Sequence, residues 1–164
     1  MKQVGHDEAW DRDLFVLDAA SPDDLPISFS LPSPRFVCLI AWDATGATAA
    51  VIASLARRLL DAGAVYLCAW GPDSQRIHDT IDEEAVGPNP LAEVDRVVMT
   101  TWHSDESLAE VLQFVLTSTW PDEPYTEGCG ATLGIAIGSP QWASEIRQAF
   151  SKPKEFIERQ LANG

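Results

Sequence analysis

The sequence predicts an α/β fold, a three-layer α/β/α sandwich whose mainly parallel sheet of about four strands is Rossmann-like or flavodoxin-like. Three apolar runs share one pattern, with Val in second place, a small residue in sixth and Trp in seventh. They are residues 36–43 (FVCLIAWD), 64–71 (AVYLCAWG) and 96–103 (RVVMTTWH). Runs with uncharged interiors are typical of strands buried on both faces. Because a helical pattern follows each run, we expect right-handed crossovers in a parallel sheet.

The chain has the length of one domain. Its 164 residues are 46% hydrophobic and 22% charged, which is typical of a globular protein. We divide it into an N-terminal extension, residues 1–35, and a single α/β domain, residues 36–164. Four prolines in the extension exclude a long helix. Alternating apolar residues predict short strands at 13–18 and 27–31, one of which could form an edge strand of the sheet.

The first two runs lead into helices with one apolar stripe each. The first helix is predicted over residues 47–62, and Gly63 ends it in the left-handed conformation. The second helix is predicted over residues 73–85, with its first or second residue as the N-cap. A loop without regular structure follows at residues 87–90.

The second half of the chain continues this alternation. Ser107 and Glu110 have the spacing of a capping box, which predicts the start of the third helix. A fourth strand is predicted at residues 131–137. Ser139, followed by a proline, is a good N-cap for the fourth helix, and Pro153 separates that helix from a last helical segment.

The order of the strands in the sheet does not follow from the sequence. The order 2-1-3-4 is the commoner arrangement for so short a chain. It would place the ends of the first and third strands side by side, where ligands of open α/β sheets bind.

The charge of the chain is strongly negative and unevenly distributed. The net charge is −14, and residues 73–127 alone carry −11, from 13 acidic residues against two arginines. Residues 141–164 carry +1. Nucleic acid is therefore disfavoured as a partner, because phosphate binding needs clustered Lys and Arg. A protein partner with a basic surface is favoured, and a merely solubilising acidic surface is the alternative.

The sequence also bears on location and cofactors. It has no signal-peptide pattern at the N-terminus and no apolar stretch long enough to cross a membrane, which predicts a soluble cytoplasmic protein. Its three cysteines form neither a disulfide framework nor a metal-binding pair. We expect no cofactor and no metal.

The carboxyl ends of parallel strands meet at one edge, where we expect any ligand site. The candidates at this edge are Trp42, Asp43, Trp70, Asp73, Thr101, Trp102, His103 and Ser139. One interpretation is a pocket in which a nucleotide-like ligand stacks on the indoles. The other is that the indoles close the end of the sheet as part of the core.

His103 and Asp43 form the best candidate pair for acid–base chemistry, because a nearby carboxylate orients an imidazole. A metal site is disfavoured, because His103 is the one histidine predicted at this edge. The sequence has no P-loop, no nucleophile elbow and no HExxH motif. These absences favour a non-enzymatic protein.

Residues 98–106 (VMTTWHSDE), with Leu108 and the loop at residues 121–123 (PDE), resemble a family of small bacterial proteins known only as a domain of unknown function. The resemblance covers residues 35–147 approximately. It implies a bacterial origin, and it assigns no catalytic residue.

The leading hypothesis is a non-enzymatic protein-binding or accessory module of a bacterial cytosol, such as an immunity-type, inhibitory or complex subunit. Its predicted binding residues are Glu83, Glu84, Asp105, Glu106, Asp122 and Glu123. The alternative is a small-molecule binding protein or a hydrolase that uses the indoles with Asp43 and His103. A third hypothesis is a homodimer formed through apolar residues of the extension.

Overall fold

The computed structural model describes residues 1–87 and 97–164, which form a six-stranded sheet covered by helices. The strands are β1 (Lys2–Asp7), β2 (Arg12–Ala19), β3 (Arg35–Trp42), β4 (Ala64–Trp70), β5 (Met99–His103) and β6 (Cys129–Ile137). Their spatial order is β1-β2-β6-β3-β4-β5. β1 is antiparallel to β2, and the other neighbouring pairs are parallel.

Helices pack on both faces of the sheet. They are α1 (Ala49–Ala62), α2 (Ser74–Val86), α3 (Leu108–Thr117), α4 (Glu123–Thr126), α5 (Pro140–Ser151) and α6 (Pro153–Asn163), with a short 3₁₀ helix at Pro22–Asp24. The buried residues of α1 and α2 share one core cluster with the first face of the sheet. Those of α3, α5 and α6 share a second cluster with the other face. The arrangement is compatible with the predicted three-layer α/β architecture.

The sheet has six strands, not about four, because the extension contributes two of them. β2 confirms the predicted strand at 13–18 and runs parallel to β6. The other strand of this hairpin, β1, lacks a predictive pattern, since Val4 is its single large apolar residue. The strand predicted at 27–31 is wrong. Ile27 is 89% exposed, while Phe29 packs into the first-face core from an irregular segment between prolines.

The strand order, which the sequence left open, is not the common arrangement 2-1-3-4. The four strands of the α/β domain lie in the order β6-β3-β4-β5, so β4 separates the first and third strands. α1 and α2 pack against each other on the first face, which places β4 and β5 successively on one side of β3. α3 then returns across the second face, and β6 joins β3 on its other side.

The helix termini follow the sequence signals closely. Gly63 adopts φ 107° and donates to the carbonyls that end α1. The predicted capping box at Ser107 is present, and Ser139 caps α5 by accepting the N–H of Trp142 at 3.3 Å. Pro153 begins α6. Most of the loop predicted at 87–90, and the start of the run at 96–103, lie outside the described residues.

Candidate functional site

The carboxyl ends of β3, β4, β5 and β6 lie at one end of the sheet, and hydrogen bonds connect the loops that follow β3 and β4. The N–H of Ala44 donates to the carbonyl of Pro72 at 3.1 Å. The guanidinium of Arg76 donates to the carbonyls of Ala44 and Ala47, at 2.6 and 2.9 Å. It also donates to Oδ2 of Asp73 at 2.7 Å. Asp73 therefore orients the arginine that connects these loops.

The three predicted indoles lie near the carboxyl ends of the strands, but they project from two different faces of the sheet. Trp42 is 5% exposed and belongs to the first-face core. Trp102 is 44% exposed and lies against His78 of α2, on the same face, with ring centroids 4.5 Å apart. Trp70 packs on the second face, with its centroid 5.1 Å from that of Trp142. The three rings line no common pocket.

A register shift of one residue between β3 and β4 explains this divergence. Phe36 pairs with Ala64, but the next residue, Val37, pairs with Tyr66. Val65 of β4 therefore has no partner residue in β3. From Tyr66 onward, each side chain of β4 lies on the opposite face of the sheet from the residue at the same place in the first run. As a result Trp70 faces the second layer of helices, although it occupies the same place in the repeat as the other two indoles.

The imidazole of His103 is enclosed by protein groups. Nδ1 lies 3.0 Å from Oε1 of Glu106, and Nε2 lies 3.0 Å from the hydroxyl of Thr101. The ring contacts Phe114 with centroids 4.9 Å apart, and the side chain is 9% exposed. The hydrogen bond from His103 lowers the pKa of Glu106. A hydroxyl, an imidazole and a carboxylate thus lie in contact, and the burial of the imidazole leaves little room for a substrate beside its nitrogens.

Asp43 lies apart from His103. It is exposed, and its Oδ1 accepts the hydroxyl and the N–H of Thr45 at 2.6 and 3.1 Å. The hydrogen bond from the hydroxyl lowers the pKa of Asp43. β4 lies between the strands that carry the two residues, so their backbones are about 10 Å apart. The structure thus brings His103 together with Glu106 rather than with Asp43.

The loop between β5 and α3 is held from both sides. The indole N–H of Trp70 donates to the carbonyl of Glu106 at 2.8 Å, while His103 bonds to the carboxylate of the same residue. The carboxylate of Glu110 accepts the N–H of Ser107 at 2.7 Å. Trp70 and His103 therefore fix the conformation in which this loop presents the exposed Asp105.

Carboxylates border β5 at both ends and along one flank. At its amino end, Oδ2 of Asp122 accepts the N–H of Val97 at 3.0 Å. At its middle, Oδ1 of Asp82 on α2 accepts the hydroxyl of Thr100 at 2.6 Å. Glu106 follows its carboxyl end. These contacts fix the positions of the acidic groups relative to the strand.

The remaining predicted protein-binding residues are exposed, with one exception. Glu83, Asp105 and Glu123 are exposed. Glu84 is half-buried, with its carboxylate 3.6 Å from Arg57. Within residues 1–87 and 97–164, Arg57 is the one lysine or arginine at ion-pair distance from a predicted protein-binding carboxylate.

Exposed apolar side chains accompany these carboxylates; the sequence indicated Trp102 as a ligand-binding candidate but not Val97 or Met99. Val97, Met99 and Trp102 are 52%, 38% and 44% exposed. Among the described strands β5 pairs with β4 alone, so it forms an edge of the sheet. The polar pair Thr100 and Thr101 in the third run was the available signal that this strand differs from the first two. We define the β5 surface as Asp79, Asp82, Glu83, Val97, Met99, Trp102, Asp105, Glu106 and Asp122.

One cavity lies beside the β1–β2 turn, and another lies beside the end of β3. The larger, about 610 Å³, lies between the β1–β2 turn and the start of α6, and it contains no predicted site residue. A smaller cavity, about 290 Å³, lies at the carboxyl end of β3. It is lined by Pro22, Asp23, Trp42, Asp43, Gly46, Ala47, Thr48 and Val51.

Among residues 1–87 and 97–164, no three His, Cys, Asp or Glu side chains are grouped so that they could hold a metal ion. No helix in these two ranges has the length and apolar character needed to cross a membrane.

The family described as "Domain of unknown function (DUF7684)" matches residues 14–153, which is most of the chain. This match confirms the resemblance to an uncharacterised family and extends it toward the N-terminus as far as β2. Comparison with curated proteins and with solved structures gives no match.

Proposed function

The chain belongs to the DUF7684 family, a domain of unknown function, and we propose that it is a non-enzymatic protein-binding module whose β5 surface binds a basic protein. One observation carries the proposal: an edge strand with an exposed indole is bordered by carboxylates at both ends and along one flank. The module acts as an accessory, immunity-type or inhibitory subunit in a bacterial cytosol.

The charge of the molecule supports a basic partner. With a net charge of −14, the chain attracts a cationic protein over a distance, and the carboxylates of the β5 surface orient the encounter. Exposed Trp102 and Met99 then supply apolar area that is buried on contact. Aromatic residues and Met are enriched in protein interfaces for this reason.

The geometry of His103 also favours binding over catalysis. An acid–base residue needs a nitrogen within hydrogen-bond reach of the substrate. Here the side chain of His103 is only 9% exposed, and its hydrogen bond to Glu106 helps to fix the acidic loop. The predicted hydrolase pair of Asp43 and His103 therefore has less structural support than the binding surface.

The test is capture of partners from an extract of the organism that encodes the protein, at low and high salt. The variant Glu83→Lys/Asp105→Lys reverses two charges of the β5 surface. We expect it to lose the captured partner, with a loss of affinity of about tenfold or more, because electrostatic attraction accelerates association by about 10 to 10³. The wild-type complex should weaken as salt rises.

The matched control is Glu8→Lys/Glu158→Lys, which changes the net charge equally but on exposed residues of the β1–β2 turn and α6. We expect it to keep the partner. Equal loss of the partner by both variants would show a non-specific response to net charge and would contradict the proposal. Unchanged capture by the β5-surface variant would contradict it as well.

A second candidate function has its own observation, the 290 Å³ cavity at the carboxyl end of β3. The order β5-β4-β3-β6 corresponds to 3-2-1-4 and supports a Rossmann-like fold, in which ligands bind where the strand order reverses. In this chain that point lies between Asp43 and Ser139. The carboxylates of Asp43 and Asp23 disfavour a phosphate group there and favour a ligand with hydroxyl groups, such as a nucleoside.

Calorimetric titration with adenosine tests this second function. Binding that is lost in Asp43→Asn and retained in Glu83→Lys would support the small-molecule site. The absence of binding in the wild type, or equal binding by Asp43→Asn, would count against it.

A further inference from the structure

The two edges of the sheet differ in their protection against a further strand. β1 begins with Lys2, has a register irregularity between Gln3 and Gly5, and contacts α5 and α6. β5 has no Lys, Arg or Pro, and it pairs with β4 without a register shift. Lysines, bulges and covering helices are the devices by which proteins block their sheet edges. β1 has all three, whereas β5 has neither a cation nor a bulge and is contacted by α2 on its first face.

Among the described strands β5 has β4 as its one neighbour, and two of its exposed side chains provide apolar area beside the edge. Trp102 lies on the first face, against His78 of α2. Met99 is three residues earlier in the strand, so its side chain lies on the second face. A strand added to β5 would cover both side chains. Five residues of β5 span about 17 Å, which matches an extended segment of about the same number of residues.

The charges that border β5 decide what kind of strand fits. Asp122 lies at one end of the strand, Glu106 at the other and Asp82 along the flank. A second copy of this chain would bring the same carboxylates face to face, and like charges oppose pairing. A segment with lysine or arginine at alternate positions would place its cations beside these carboxylates.

We infer that the partner of the β5 surface contributes an extended basic segment that pairs with β5 as a seventh strand. This inference rests on the proposed function and specifies the class of its partner. Main-chain hydrogen bonds to β5 provide affinity in this mode of recognition, while the alternating side chains provide specificity. The partner is thus recognised both by its charge and by its ability to adopt a strand.

The probe is a synthetic peptide of about eight residues that alternates Lys and Val. The comparison peptide has the same sequence with its central backbone amides N-methylated, so that it keeps every charge and loses the N–H donors of a strand. In calorimetric titration we expect the first peptide to bind, and the second to bind about tenfold more weakly or less. In hydrogen-exchange measurements the unmethylated peptide should protect amides within residues 99–103.

Chain variants locate the contact. Met99→Lys introduces an edge cation of the kind that blocks strand addition, and it should abolish peptide binding. Leu161→Lys makes the same change at an exposed apolar residue of α6 and should have no effect.

The outcomes separate the inference from the proposed function. Equal binding of both peptides would show a contact made by charge alone, which would overturn the strand addition and leave the proposed function standing. If neither the peptide nor any basic partner binds, both fail. A dimer of the chain that Met99→Lys dissociates in sedimentation would show that a second copy occupies β5, and it would overturn the inference.

Discussion

His103 is held in position by contacts with three neighbouring side chains. Its two nitrogens and one ring face contact Glu106, Thr101 and Phe114. The sequence places a histidine at the end of a strand, and so predicts its position correctly. Its partner was harder to predict, because Asp43 and Glu106 are both plausible until the strand order is known. The spacing of three residues between His103 and Glu106 was the available local signal.

The carboxylate of Glu106 gives a prediction for the pH dependence of stability. Its pKa is lowered by the hydrogen bond from His103. The contact therefore stabilises the folded state above the ordinary glutamate pKa of about 4.3, and this contribution is lost as the pH falls through the lower folded pKa. Glu106→Gln should reduce the free energy of unfolding by about 0.5 kcal/mol near neutral pH, because the pair is partly exposed, and by less in acid. Urea unfolding at several pH values measures this difference.

The control for this prediction is the same substitution in the background of His103→Phe. Without the imidazole, Glu106→Gln should have no pH-dependent effect on unfolding. A loss of stability that persists unchanged in acid would contradict the assigned hydrogen bond.

The three cysteines give a second prediction, for thiol reactivity. Cys38 and Cys68 are fully buried, and Cys129 is 7% exposed. Burial raises the pKa of the Cys68 thiol to about 12 and also raises the pKa of Cys38 and Cys129. Because the thiolate is the reactive form, the native protein should not react with a thiol reagent at mildly alkaline pH, and three thiols should react after denaturation. Rapid labelling of the native protein would contradict this packing.

The strands and helices were predictable to different degrees. Helix ends depend on local chemistry, so Gly63, Ser107, Ser139 and Pro153 indicated them correctly. β1 was not predictable, because it depends on pairing with β2 rather than on its own residues. The faces of the indoles were not predictable either, since they depend on a register shift that leaves no mark in the repeat.

Gly134 of β6 gives a prediction about the packing of α5. A Cβ atom at this position would lie 2.5 Å from Cγ2 of Ile146 and 3.1 Å from Cε2 of Phe150, both fully buried on α5. Gly134→Ala should therefore lower the free energy of unfolding by about 1–3 kcal/mol, the usual cost of overpacking a core. Gly46→Ala is the control, because a Cβ there meets no atom within 4 Å. Equal stability of the two variants in denaturant unfolding would contradict the close approach of α5.

At the level of the whole molecule, the alternation of apolar runs and helical patterns predicted the α/β class, while the arrangement of the functional groups required the fold. The acidic residues between 73 and 127 are distant in sequence, and folding brings Asp82, Glu106 and Asp122 around one strand. The same fold separates Asp43 from His103, since β4 lies between their strands. Neither arrangement could be predicted without the strand order.

The β5 surface and the cavity beside Asp43 lie at different parts of the sheet, so one map of contacts distinguishes them. The measurement is amide NMR of the labelled chain before and after addition of the partner captured in the experiment above. We predict that the resonances that shift belong to residues 97–106 and to α2, around Trp102 and Glu83. Shifts confined to residues 43–48 and 138–139, or to the turn between β1 and β2, would contradict the claim that the β5 surface is the binding site.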